Sequence, residues 1–174
     1  MNSDTIIILV FGFIILLLLI GLFFINRLIS YKKKVENSFA IVNDIFKSNS
    51  KLIDEITSWI KNNLEHEEEF IKKLNEAKMI IQDTNLHNIN FSQIEKALKI
   101  ILKFTNLEEI YSFLKKDKQY LKSKKGLLDN QNRFSYAMDG YNKEVECYDN
   151  YRNQKFMKIL NKLLRFPKYD YYNK

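Results

Sequence analysis

The sequence predicts an all-α protein, with a single N-terminal transmembrane helix followed by an antiparallel, up-and-down four-helix bundle of long helices. Gly and Pro, which interrupt helices, number only four and one in 174 residues, and neither occurs between Leu22 and Lys125. Apolar residues in that region recur at spacings of three and four, which places them on one face of a helix. A charge-free N-terminal segment predicts the membrane helix.

The first element is the segment from Thr5 to Ile25, which contains no charged residue. Its length is close to the roughly 20 residues that a helix needs to cross a hydrocarbon core about 30 Å thick. A cleaved signal peptide would have a basic start and a small-residue cleavage site, whereas this chain starts with MNSD. We therefore expect an uncleaved span, whose apolar residues include Ile6, Leu9, Phe13, Leu16, Leu19, Phe23 and Ile25.

Basic residues flank the span on its C-terminal side only, at Arg27 and at residues 32–34. The positive-inside rule then predicts a single-pass protein of the cell membrane, with a short N-terminus outside and a cytoplasmic bundle. This division gives residues 1–29 as the tail and span, 30–166 as the bundle, and 167–174 as an aromatic, basic C-terminal tail. We expect the tyrosines of that tail to rest at the lipid interface.

Four apolar stripes follow the span. The first two stripes are Val35, Phe39, Val42, Phe46, then Ile53, Ile56, Ile60, Leu64, Phe70, Leu74, Ala77 and Ile81. After a polar break, where Asn90 or Ser92 is the expected cap, the next is Ile94, Leu98, Ile101, Ile110, Phe113, Leu114 and Leu121, ended by Gly126. The last is Leu127, Phe134, Ala137, Tyr141, Val145, Tyr148, Phe156, Ile159 and Leu163, ended by Pro167.

The segment KSNSK at 47–51 allows two interpretations. It is either a turn, giving four helices of about 20, 33, 35 and 38 residues, or part of one long helix. A helix of about 50 residues would be roughly 75 Å long and would overhang its partners, leaving Val35, Phe39 and Val42 uncovered. We therefore favour the turn.

Several short motifs resemble those of the LemA family, and the resemblance covers essentially the whole chain. They are Asn26-Arg27-Leu28, Leu52-Ile53-Asp54, His66-Glu67 with Phe70, Leu74 and Ala77-Lys78, Tyr111-Ser112-Phe113-Leu114-Lys115, Gln131-Asn132-Arg133-Phe134, and Tyr141-Asn142 with Val145 and Tyr148-Asp149. The resemblance implies a single-pass membrane protein with a four-helix cytoplasmic bundle and no established activity.

The chain departs from that family pattern at four positions. Asp54 and Ser112 stand where the family has proline, Gln131 where it has a carboxylate, and Met138 where it has arginine. The resemblance therefore does not imply an ion pair between positions 131 and 138 in this chain.

Tyr141 and Tyr148 lie seven residues apart and so on one face of a helix. They are either part of a binding face or part of the bundle interior. Because they continue an apolar stripe, we predict core packing, with Asn142 and Asn132 as partners for the hydroxyl groups. A polar cluster of motif residues inside the bundle (His66, Glu67, Asn132, Arg133, Tyr141, Asn142 and Tyr148) is the alternative.

Sites for metals, cofactors or catalysis are not predicted. Phe70 occupies the position where a zinc protease motif beginning at His66 needs a second histidine. Asn63 and Thr84 stand where two di-iron Glu-x-x-His motifs would need glutamates. The chain also has no glycine-rich phosphate loop, and its single cysteine, Cys147, cannot form an intramolecular disulfide.

Lysines dominate residues 115–125, with six Lys against one Asp. We interpret this corner as a solvated helix end pointing away from the bilayer, with anionic lipid or a nucleic-acid backbone as alternatives. No aromatic-interleaved motif supports nucleic acid, and no small-molecule substrate is evident.

The function predicted from the sequence is a non-catalytic, membrane-anchored scaffold or docking module. The bilayer is its expected partner through the N-terminal helix, with a protein partner or self-association through the bundle. The alternative is a signalling or membrane-shaping component that binds anionic lipid through its basic segments.

Overall fold

The computed structural model describes residues 3–64, 67–87 and 89–172. Every regular element in this part of the chain is helical, which confirms the all-α prediction. The α-helices are α1 (Ser3–Asn63), α2 (Glu68–Asp83), α3 (Phe91–Lys103), α4 (Lys118–Arg152) and α5 (Lys155–Leu164). Two short 3₁₀ helices, Phe104–Glu109 and Ser112–Lys116, connect α3 to α4.

The first part of α1 is a helix long and apolar enough to cross a membrane. Its most apolar window has a mean hydropathy of 3.4, and none of that window is buried by the rest of the protein. Of the span residues, Ile6, Leu9, Phe13, Leu16, Leu19 and Phe23 are exposed, and Ile25 is half-buried. The bundle therefore leaves this segment uncovered.

The predicted turn at 47–51 is wrong, because α1 continues through it without a break. Asn49 and Ser50 are buried, so these polar residues face the interior rather than forming a turn. The long helix does not overhang its partners, because α4, at 35 residues, runs along most of the part of α1 that follows the apolar segment. Val35, Phe39 and Val42 are accordingly 0–2% exposed.

Aromatic contacts join α1 to α4 along their length. Ring centroids lie 5.7 Å apart for Phe39 and Tyr141, and 5.8 Å apart for Phe46 and Phe134. Further along α1, Trp59 lies 6.0 Å from Tyr120. Early residues of the bundle part of α1 thus meet late residues of α4, and the end of α1 meets the beginning of α4.

The prediction that Gly126 ends a helix is wrong, because Gly126 lies inside α4. A Cβ atom at this position would lie 3.2 Å from the Cδ1 atom of Leu52 on α1. The absence of a side chain therefore permits close packing of α1 against α4.

The predicted third helix is much shorter than expected, because α3 ends at Lys103 and 3₁₀ turns replace its continuation. Asn90, one of the two expected caps, accepts a hydrogen bond from the Gln93 backbone N–H at its start. Ile110, Phe113 and Leu121, which were predicted to be core residues, are 72%, 53% and 41% exposed.

The predicted last helix is divided in two. After α4 ends at Arg152 the chain turns at residues 153–154, so the apolar phase of α4 does not carry over into α5. Met157 is buried, but Phe156, Ile159 and Leu163, which were predicted to continue the core stripe, are 44%, 70% and 78% exposed.

Candidate functional site

Tyr141 and Tyr148 project from α4 into the protein interior, and both are 0% exposed. Val145, one turn from each, is also fully buried. The phenol rings thus belong to the face of α4 that packs against α1, as the contact between Tyr141 and Phe39 illustrates.

The hydroxyl groups of these tyrosines hold the C-terminal tail by its main chain. Tyr141 donates a hydrogen bond of 3.0 Å to the Asp170 carbonyl, and Tyr148 donates one of 2.8 Å to the Pro167 carbonyl. The predicted partners, Asn132 and Asn142, are therefore wrong. The actual acceptors belong to an irregular segment 19 and 29 residues away in the chain.

Asn142 binds the same tail segment through both ends of its side-chain amide. Its Nδ2 atom donates to the Tyr172 carbonyl at 2.7 Å, and its Oδ1 atom accepts from the Tyr172 N–H at 2.8 Å. This pairing satisfies both main-chain polar groups of Tyr172, as a neighbouring β-strand would. Tyr141, Asn142 and Tyr148 together form a clamp on residues 167–172, which we call the tail clamp.

Aromatic packing completes the attachment of the tail. Tyr169 is 2% exposed, and its ring lies 5.2 Å from that of Tyr148. The ring of Tyr172 lies 5.3 Å from Phe91 on α3 and 5.8 Å from Phe134 on α4. The prediction that the tail tyrosines rest at the lipid interface is wrong for these two, which pack into the bundle.

Burial keeps the tyrosines of the clamp protonated. Loss of hydration raises the pKa of Tyr141 and of Tyr148 well above the ordinary value of tyrosine. The same effect raises the pKa of Tyr169 to about 12. Tyr141 and Tyr148 therefore remain hydrogen-bond donors to the tail throughout the physiological pH range.

A second polar contact inside the bundle involves Asn130, which the motifs did not single out. Its Nδ2 atom donates to Asn49 Oδ1 at 2.8 Å and to Ser48 Oγ at 2.9 Å, and Asn130 is 4% exposed. Asn132, two residues further on, is exposed, as is Arg133. Arg133 reaches back to Asn130 Oδ1 at 3.4 Å. The helical period, which places Asn130 one turn before Phe134, is the sequence signal that could have identified it.

Two other motif segments meet between α2 and the turns after α3. The Tyr111 hydroxyl donates a hydrogen bond of 2.9 Å to Glu67 Oε1, immediately before α2 begins. That bond raises the pKa of Tyr111, since it stabilises the protonated phenol. His66 lies outside the residues that the structure describes.

The polar groups of the tail clamp are arranged to bind main-chain groups of the tail. Each member of the tail clamp is neutral and directs its polar atoms at main-chain carbonyl or N–H groups. Among the described residues, no group of three or more His, Cys, Asp or Glu is placed to hold a metal ion.

Comparison with known proteins finds a family match that covers the tail clamp. The sequence model of the LemA family matches residues 38–174, a range that includes the tail clamp and the tail that it holds. No curated protein matches the chain.

Proposed function

The chain belongs to the LemA family, and from this membership and the course of α1 we propose that it is a single-pass membrane protein whose helical bundle is a non-catalytic scaffold. The bundle holds a protein-docking surface away from the bilayer, on the cytoplasmic side. The observation that carries the proposal is the continuity of α1, which runs from an exposed apolar segment into the core without a break.

The charges beside the span support the cytoplasmic orientation. Arg27 and the three lysines at 32–34 lie within ten residues after the apolar segment, and basic residues close to the end of a span are retained in the cytoplasm. The ring contacts between α1 and α4 support an antiparallel arrangement of the long helices, in which α1 to α4 form the bundle.

The docking surface lies at the far end of α1. From Ile25 to Trp59 the helix rises by roughly 51 Å at 1.5 Å per residue, and Trp59 contacts Tyr120 in the lysine-rich corner. This distance supports the sequence-based interpretation that residues 115–125 point away from the bilayer. It disfavours their binding to lipid of the same membrane.

The chemistry of this end suits a protein partner. Ile110, Phe113 and Leu121 are exposed apolar residues, and the lysines at 115, 116, 118 and 122, which lie between or next to them in the chain, are exposed as well. Apolar side chains at the centre and charges at the rim are typical of protein interfaces. The lysines favour a partner with acidic residues at its own rim.

Site-specific cross-linking in native membranes tests the proposal. A photoreactive phenylalanine analogue replaces Phe113 in one variant and Tyr136, which is 79% exposed on the side of α4, in a matched control. We expect a defined protein to be captured from position 113 only, at high salt as well as low, and Ile110→Ser to reduce its capture. Equal capture from both positions would refute the docking surface.

A further inference from the structure

Helix α5 lies beside the point where α1 leaves its apolar segment. The ring of Phe156 is 5.1 Å from that of Phe24 on α1. The neighbouring Tyr151 hydroxyl donates to the Phe24 carbonyl at 3.4 Å, and its ring lies under the Arg27 guanidinium. The start of α5 is therefore level with the boundary between the apolar segment and its first basic residue.

Two ties keep α5 in this place. At its start it follows α4 after a turn of only two residues, 153 and 154. At its end Arg165 adopts a left-handed conformation, the Asn161 side chain accepts from the Phe166 N–H, and Tyr148 binds the Pro167 carbonyl. The tail clamp thus fixes the position of α5 as well as that of the tail.

The apolar side of α5 is wider than the bundle covers. Met157 is fully buried and Leu160 is partly buried against the core. Helical spacing places Phe156, Ile159 and Leu163 on an adjoining face, where they are 44%, 70% and 78% exposed.

A third face of α5 is basic. Lys155, Lys158 and Lys162 follow one another at helical spacing and are exposed. They flank the uncovered apolar face on the side away from Met157. A helix with an uncovered apolar face and an adjoining row of lysines is typical of segments that lie in the plane of a membrane interface.

We propose that α5 lies in the interface of the bilayer that α1 enters and binds its anionic headgroups. Ile159 and Leu163 insert at the boundary of the acyl chains, and Lys155, Lys158 and Lys162 contact the negatively charged lipid. The inference rests on the proposed membrane anchoring. The position of α5 beside Phe24 favours the bilayer over a second copy of the chain or another protein as the occupant of this face.

Spin labels on the full-length protein, reconstituted in vesicles of phosphatidylcholine and phosphatidylglycerol, test this placement. In a Cys147→Ser background, a label is attached to a cysteine replacing Phe13, Ile159 or Tyr136, one position per sample. We expect labels at 13 and 159 to collide more with oxygen, which partitions into lipid, and the label at 136 to collide more with a water-soluble nickel complex.

The outcomes separate the two proposals. If the label at 13 is protected from nickel but the label at 159 is as accessible as that at 136, α5 is not in the interface and the inference fails alone. If the label at 13 is itself accessible to nickel, the membrane anchoring fails as well. Broadening of the 159 spectrum by a second label would show that another copy covers this face, which also overturns the inference.

The lipid chemistry has its own test. A label replacing Leu163 reports the depth of α5 in vesicles of phosphatidylcholine alone and with phosphatidylglycerol added. We expect a deeper position in the anionic vesicles and loss of that difference in Lys158→Glu/Lys162→Glu, with Lys143→Glu as the matched control. The same depth in both vesicles would refute recognition of anionic headgroups.

Discussion

Replacing Asn142 with alanine removes both hydrogen bonds that join α4 to the main chain of Tyr172. An intramolecular hydrogen bond contributes about 0.5–1.5 kcal/mol net, so two contribute roughly 1–3 kcal/mol. That free energy corresponds to a factor of about 5 to 150 in the equilibrium between the attached and the released tail. The ring contacts that join α1 to α4 are made by other residues, such as Phe39 and Tyr141, so we expect the released state to be local.

Hydrogen exchange followed by mass spectrometry measures this effect. We expect the C-terminal peptide of Asn142→Ala to exchange faster by about that factor, while peptides from the centre of α1 keep the exchange rates of the unsubstituted protein. Asn142→Asp retains an acceptor for the Tyr172 N–H but loses the donor to its carbonyl, so an intermediate rate is expected. Asn150→Ala, an exposed asparagine on the same helix, is the matched control.

Unchanged exchange of the tail in Asn142→Ala would refute the reasoning, because the tail would then be held without the side-chain amide. A uniform increase in exchange over the whole chain would refute the local character of the release. Equal effects of Asn142→Ala and Asn150→Ala would assign both to loss of a surface side chain.

Two further predictions concern the interior of the bundle. Asn130→Ala leaves the buried Asn49 without its partner and is expected to lower the free energy of unfolding by about 1–3 kcal/mol. The control Asn132→Ala, at an exposed position, is expected to change it by less than about 0.5 kcal/mol. Chemical unfolding followed by circular dichroism measures both variants, and equal effects would contradict the assigned contact. Because the pKa of Tyr169 is about 12 in the folded protein and that of tyrosine in an unfolded chain is about 10, its contribution to stability is complete below pH of about 10 and is lost as the pH rises through about 12. Thermal unfolding measured between pH of about 10 and about 12 should show a smaller loss of stability for Tyr169→Phe than for the unsubstituted protein. An identical loss in the two proteins would show that ionisation of Tyr169 is not its cause.

The long apolar N-terminal helix and the helical class could be predicted because they depend on local composition. A segment such as Ile6–Leu19 needs no knowledge of the rest of the chain to be recognised as apolar. The prediction of a turn at 47–51 is wrong for the converse reason. Ser48 and Asn49 are polar, as turn residues are, but they hydrogen-bond to Asn130 some 80 positions away, and this pairing cannot be inferred from the local sequence.

For the tail clamp, the burial of the tyrosine rings could be predicted from the sequence, but the partners of their hydroxyl groups could not. Helical spacing put Tyr141 and Tyr148 on one face, and both rings are buried there. Their hydroxyls bond to main-chain carbonyls of the tail, and every residue has such a carbonyl, so no residue type indicated it. For α5 the apolar spacing predicts a buried face, but this spacing is the same whether or not the protein covers the face, so it does not reveal that Ile159 and Leu163 are exposed.

In the proposed membrane-anchored arrangement, the unbroken course of α1 couples any tilt of its apolar segment to the position of the far end of the protein. Without a hinge between Ile25 and Trp59, a tilt of the span by about 10°, such as a thinner bilayer imposes, displaces the end of a rod roughly 51 Å long sideways by about 9 Å. The lateral reach of the lysine-rich corner would then follow the thickness of the surrounding lipid.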